Sequence, residues 1–154
     1  WTGVQTCALP ICEDEHGIIK EKQPIIRVFP RSVGTRYPTS QEEIDNIIKN
    51  TLRGIRFSAK VLYNPRIRSA GKMVAKELHG RVWIERIEIG KQYKEGVKEL
   101  IDTILHEELE ARIVNRAFNE GSERYMKMFR AGDSAIHPYI NKVIARYMRM
   151  KGVL

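Results

Sequence analysis

Cysteine is scarce in this chain: only Cys7 and Cys12 occur, which excludes a small secreted scaffold built on a disulfide framework. Long apolar runs are missing as well. None approaches the roughly eighteen residues that a membrane span needs. The chain has no internal repeat and no low-complexity tract. Histidine is sparing, with four in all, so the place of each one matters. What is present suits an ordinary globular protein: hydrophobic residues make up 42% and charged residues 30%, a balance that argues against wholesale disorder. A length of 154 residues points to one domain with a single sizeable core. Lys and Arg outnumber Asp and Glu by 27 to 19, for a formal charge of +8. That balance suits acidic partners such as nucleic acid or an acidic inhibitor, and equally suits a plain solvated basic surface; it says nothing about fold.

Trp1 to Ile11 read WTGVQTCALPI, without a charged residue. The string resembles the conceptual translation of a sequencing-library adapter, so positions 1–12 are set aside as an artefact. The apolar run is too short, and lacks the basic leading region, for a signal peptide. On this expectation the chain is the tail of a longer protein that ends at Leu154. Residues 13–23 are polar and charged and read as a flexible lead-in, leaving 24–154 as a single domain.

Within that domain, Pro24 and Pro30 bracket a β-prone run from Ile25 to Phe29, which predicts an edge strand. Ser40 and Glu43 form a capping box, and Ile44, Ile47, Ile48 and Leu52 follow on one helical face up to Gly54. Alternation from Phe57 to Tyr63 predicts a strand ending at Asn64-Pro65, and Met73 to Leu78 a second, with His79-Gly80 as a turn. Val82 to Ile89 is β-rich, but its alternation slips once, which points to a bulge or a strand covered on both faces. Helical spacing returns from Val97 through Ile113 to about Gly121, with Val97 and Ile101 on the stripe assigned to the sheet. A shorter helix is expected from Ser122 to Ala131 and a last one carrying Tyr139, Ile140, Val143, Ile144, Tyr147 and Met148 on one face. The order β-α-β-β-β-α-α-α predicts an α+β domain: a small, mainly antiparallel sheet of consecutive strands, a capped helix before it and three C-terminal helices.

The chemistry concentrates on the long helix, in Thr103-Ile104-Leu105-His106-Glu107-Glu108-Leu109-Glu110-Ala111-Arg112. His106 and Glu110 are one turn apart and stack on one face. Two ligands at that spacing, with a Glu after the first, form the helix motif of zinc hydrolases. Here a carboxylate, Glu110, takes the second ligand position, and Glu107 is the candidate base. His137 is the candidate third ligand: it precedes Pro138, which places it at a helix entrance with its ring free to project. Asp133 lies close enough in sequence to ligate directly or to orient His137. A helix cap is the competing explanation of His137. His79 reads as a turn residue, and His16 falls in the lead-in.

The capped helix, the strands and the helix containing Leu100-Ile101-Asp102-Thr103-Ile104-Leu105-His106-Glu107 resemble the core of zincin-like metallopeptidases, SprT-like domains in particular, over roughly residues 40–112. The family carries a metal-binding His where this chain has Glu110. The resemblance implies a zincin-like fold and a metal-dependent hydrolase using Zn2+. From His106 to Gly152, with Ile136-His137-Pro138-Tyr139-Ile140 and an Arg-rich tail, the chain also resembles C-terminal effector domains of polymorphic bacterial toxins. That likeness implies secretion by a producer, action in a target-cell cytoplasm on protein or RNA, and an acidic immunity protein as partner.

Two other readings use the same residues. A metal-independent ribonuclease would use His106, His137 and Glu107 or Glu110 for proton transfer, with Arg112 or Arg116 on the phosphate. Arg53, Arg56, Arg66 and Arg68, near Phe57 and Tyr63, would add to a nucleic-acid surface. In a non-enzymatic binding module, His106 is a core histidine, and Glu107, Glu108 and Glu110 form a solvated acidic face. In every version Glu108 and Arg112 have the favourable i,i+4 order of a structural pair.

Overall fold

The computed structural model describes residues 25–28, 39–92 and 96–152. The adapter-like segment, the lead-in with His16 and the last two residues lie outside these. The elements are β1 (Ile25–Val28), α1 (Gln41–Asn46) continued by a π-helical turn (Ile47–Thr51), β2 (Val61–Tyr63), β3 (Gly71–Leu78), β4 (Arg81–Ile89), α2 (Val97–Phe118), α3 (Glu123–Ala131) and α4 (Asp133–Met150). The fold is α+β, and the predicted element order holds.

Four strands form one sheet in the order β1-β3-β4-β2. β1 is an edge strand, antiparallel to β3, with Ile25 opposite Ala75 and Val28 opposite Lys72. β3 and β4 make an antiparallel hairpin. His79 (φ 57°) and Gly80 (φ 76°) turn it, and positive φ at both central residues matches the right-handed twist of the flanking strands. The bulge is real: Val74 faces Arg86 and Ala75 faces Ile84, which leaves Glu85 unmatched. β2, however, runs parallel to β4, with Val61 opposite Ile87. This corrects the expectation of consecutive antiparallel strands. The loop from 64 to 70 carries the chain back across the sheet, so β2 ends beside β4 and not beside its successor. β2 is also shorter than the alternation from Phe57 implied.

Side-chain amides close the sheet edges where backbone partners run out. Gln41 donates to Val61 O (3.0 Å) and accepts from Tyr63 N (2.7 Å), joining α1 to the open side of β2. Asn119, just past α2, accepts from Val82 N at 2.7 Å and donates to Val82 O. Each amide acts as one more peptide unit on a strand edge that would otherwise invite another chain. Ser40 caps α1 as expected, its hydroxyl accepting from Glu43 N, while the Glu43 carboxylate accepts from Thr39.

α2 packs on β3 and β4, and α3 and α4 pack against α2. The core gathers Met73, Ala75, Ile87 and Ile89 from the sheet with Ile104, Ile113, Ile136 and Ile140 from the helices. From Leu100 to Ala117 α2 is covered almost all round, whereas Val97, expected on the sheet-facing stripe, is 51% exposed. With α3 and α4 on one side and the sheet on the other, little of the helix meets solvent. α4 brings a second correction. It starts at Asp133 after Gly132, whose φ of 83° ends α3, so Pro138 lies inside the helix and His137 is a full turn past the entrance. Gly132, not His137, occupies the capping position, because only a residue tolerant of positive φ can reverse the chain there.

Candidate functional site

The site is built from α2 and α4. His106 and His137, thirty-one positions apart in the sequence, meet with ring centres 5.3 Å apart and planes at 81°. His106 is buried by the packing of α2 beneath α4, while His137 keeps 27% of its side chain exposed. One turn before His137 on α4, Asp133 Oδ1 stands 3.8 Å from its Nε2. That is an ion-pair distance when the imidazole is protonated, and too long for a hydrogen bond. The pair therefore has one ring in the interior and one at the surface.

Around it α2 carries three carboxylates out of solvent: Glu107, Glu108 and Glu110 are 0%, 2% and 1% exposed. This overturns the solvated acidic face. Glu108 is fully accounted for. It accepts from Ser58 N and Ser58 Oγ, both at 2.8 Å, and from Arg112 Nε at 2.8 Å. Arg112 also donates to Arg56 O. Arg112 is thus a structural clamp between α2 and the loop before β2, as the i,i+4 spacing implied, and the structure commits its guanidinium there.

Glu107 faces the sheet. Its Cγ lies 2.9 Å and its Oε2 3.1 Å from where a Cβ on Gly71 would sit, and Thr103 Cγ2 lies at 3.0 Å. A side chain at position 71 would force Glu107 or Thr103 to shift, so glycine lets the Glu107 side chain lie against the strand backbone. A hydrogen-bonded frame holds that strand start: Ser69 Oγ donates to Gly71 O, and Gln92 bridges Ala70 O, Gly90 O and the Thr103 hydroxyl. Glu110 is buried one turn beyond His106 on the same helix. Sequence reasoning missed two residues here. Glu77 on β3 is fully buried, although Lys76-Glu77 next to a turn reads as solvent-facing. Gln92 lies between the strand and helix patterns and gives no periodic signal.

Among the described residues, no three His, Cys, Asp or Glu side chains stand in the arrangement of a complete metal shell. The two imidazoles do have a suitable spacing. Rings bonded to one tetrahedral zinc ion through Zn–N bonds of about 2.0–2.1 Å have centres roughly 5 Å apart. The spacing of the ring centres matches that of two imidazoles on one ion, and no third donor completes a shell there among the described residues.

Arg116, also proposed for the site, belongs elsewhere. It donates to the Tyr125 hydroxyl at 2.9 Å and stacks 5.2 Å from that ring's centre. The Tyr125 and Tyr139 oxygens are 3.1 Å apart. The hydrogen bond with Tyr139 and the Arg116 and Arg124 guanidiniums outweigh burial and lower the Tyr125 pKa, whereas burial, then the Tyr125 bond, raises that of Tyr139. A separate cavity of about 170 Å³ opens between α2 and α4, lined by Ile55, Leu105, Leu109, Val143 and Tyr147 among others. It is apolar and adjoins the helix face next to His106.

Comparison of the chain with protein-family models, with curated proteins and with solved structures gives no match. No helix among the described residues is long and apolar enough to cross a membrane.

Proposed function

We propose that this domain is a zincin-like, metal-dependent hydrolase of the effector type, with its centre at the His106–His137 pair. The carrying observation is the 5.3 Å approach of two imidazoles from separate helices, in a region where α2 also buries Glu107 and Glu110. Burying a histidine and several carboxylates together is costly unless they are paired or bound to a cation, and clustered ionisable groups of this kind mark functional sites more often than chance. His106 and His137 would hold the ion, with Glu110 as its third ligand and Glu107 as the general base. A divalent ion bound there would supply a water of lowered pKa. Asp133 orients His137 from the solvent side, the role that carboxylates commonly play behind metal-binding imidazoles. The basic exterior suits an acidic inhibitor as partner.

A second reading rests on the Asp133–His137 contact: a carboxylate-supported imidazole beside another imidazole is a metal-free acid–base pair for RNA cleavage. One experiment separates the two. Casein and total RNA are incubated with the protein, with and without excess chelator, and with Glu107→Gln. Hydrolysis that chelator abolishes and Glu107→Gln reduces by about 100-fold or more supports the metal hydrolase. RNA cleavage that survives chelation replaces it with the ribonuclease, and no turnover under any condition contradicts both.

A further inference from the structure

The exterior formed by α3 and the adjoining turns of α2 and α4 carries an excess of positive charge. Residues 116–152 hold eight Lys or Arg against three Asp or Glu. On the sheet, three cations are paired: Arg86 with Glu85 and Glu88, Lys72 with Glu88 and Lys76 with Glu85. Among the described residues, Arg116, Arg124, Lys127 and Arg130 make no ion pair, and all four are exposed. Arg124, Lys127 and Arg130 follow one another at three-residue spacing, rising about 4.5 Å per step, along a groove of about 720 Å³ in which Glu123 is the single carboxylate.

At one end of that row the arginines lie over aromatic rings. Arg116 lies 5.2 Å and Arg124 5.5 Å from the centre of the Tyr125 ring, and Arg124 also lies 5.9 Å from that of Tyr139. The Arg116 bond to the Tyr125 hydroxyl and the contact between the two tyrosine hydroxyls fix the rings. Guanidinium planes stacked on aromatic rings lose less freedom on binding than free side chains, and they offer both phosphate donors and flat surfaces for unstacked bases. A row of unpaired cations leading away from such a platform is how single strands are tracked without sequence preference.

We propose that this surface binds single-stranded nucleic acid, the phosphates running along Arg124, Lys127 and Arg130 and a base stacking at the Arg116–Tyr125–Arg124–Tyr139 cluster. The proposal does not depend on the chemistry of His106 and His137. The test is fluorescence anisotropy of a labelled oligothymidine with the full chain, in excess chelator, across a salt series starting at about 50 mM. The wild type is expected to bind. Arg124→Gln and Lys127→Gln each weaken binding by roughly tenfold and reduce the slope of log K against log salt by about 0.7, while Lys98→Gln, at the far end of α2, leaves both unchanged. Thermal midpoints of the variants matching the wild type show that the loss is not unfolding. If Arg124→Gln is unstable, Lys127→Gln, outside the tyrosine cluster, carries the test alone. No binding by the wild type, equal binding by folded variants, or duplex DNA binding as tightly as the single strand overturns the proposal. Displacement of the strand by polyglutamate as readily as by unlabelled oligothymidine also overturns it, because it would identify an acidic protein as the better partner.

Discussion

α2 and α3 lie side by side and carry charge by opposite rules. Along α2, His106, Glu107, Glu108 and Glu110 are inside the molecule. Along α3, Arg124, Lys127 and Arg130 are all outside. Interior charge has to be answered locally, as three donors answer Glu108, because water is not there to do it. Exterior charge needs no answer and is available to a partner. The difference teaches that the acidic and basic parts of this chain are not two halves of one electrostatic surface. One sets the internal geometry of the site, and the other meets whatever arrives.

Substitutions should divide along that line. Glu108→Ala has the largest expected effect, since it leaves Ser58 N and Arg112 Nε without their acceptor; a loss of about 3–5 kcal/mol in denaturant unfolding is expected. A loss under 1 kcal/mol would mean that the interior network is dispensable. Gly71→Ala comes next. The new Cβ would meet Glu107 Cγ at 2.9 Å, so the buried carboxylate must shift, at a cost of about 1–3 kcal/mol; an unchanged midpoint would show that Glu107 is not held against β3.

The sheet's ion pairs rank below these. At Glu88, burial alone would raise the carboxyl pKa, but hydrogen bonds from Arg86 and Asn64 and the charges of Lys72 and Arg86 outweigh it and hold the pKa below the usual 4.5. A lowered folded-state value gives stability that is present above the unfolded-state pKa and is lost as pH falls through the folded one. Urea titrations should therefore show an acid limb below about pH 4.5 that Glu88→Gln flattens, with about 1 kcal/mol lost at neutral pH; the same acid limb in both proteins would remove Glu88 from the account. The smallest effect belongs to the exterior: Lys127→Gln should change stability by less than about 0.5 kcal/mol.

Much of this contrast was legible in the residues, and the failures share a cause. Periodicity located every helix and strand among the described residues, and of the two readings of the slip in Val82–Ile89, a bulge or a doubly covered strand, the structure has the bulge, at Glu85. Pairing direction was not legible: whether β2 lies beside β3 or β4 depends on the path of the loop, which leaves no periodic trace. The site was half visible. His106 and Glu110 share a face by helical arithmetic alone, and the approach of His137 agrees with its choice as candidate third ligand. Its supposed position at a helix entrance was wrong, since Pro138 suggested a start that Gly132 had already made. The burial of Glu107, Glu108 and Glu77 was hidden because a carboxylate has the same letter in solvent and in a core. Only the packing of α3, α4 and the sheet around α2 distinguishes them, and that is a property of the assembled fold.

The convergence of His106 and His137 is best tested by metal analysis of the purified chain equilibrated with zinc and then desalted, for the wild type, His106→Ala and His137→Ala. The account predicts about one ion per wild-type chain and a loss of bound zinc, by tenfold or more in affinity, in each folded variant. A wild type that retains no zinc, or a His137→Ala protein that retains as much as the wild type, would contradict it.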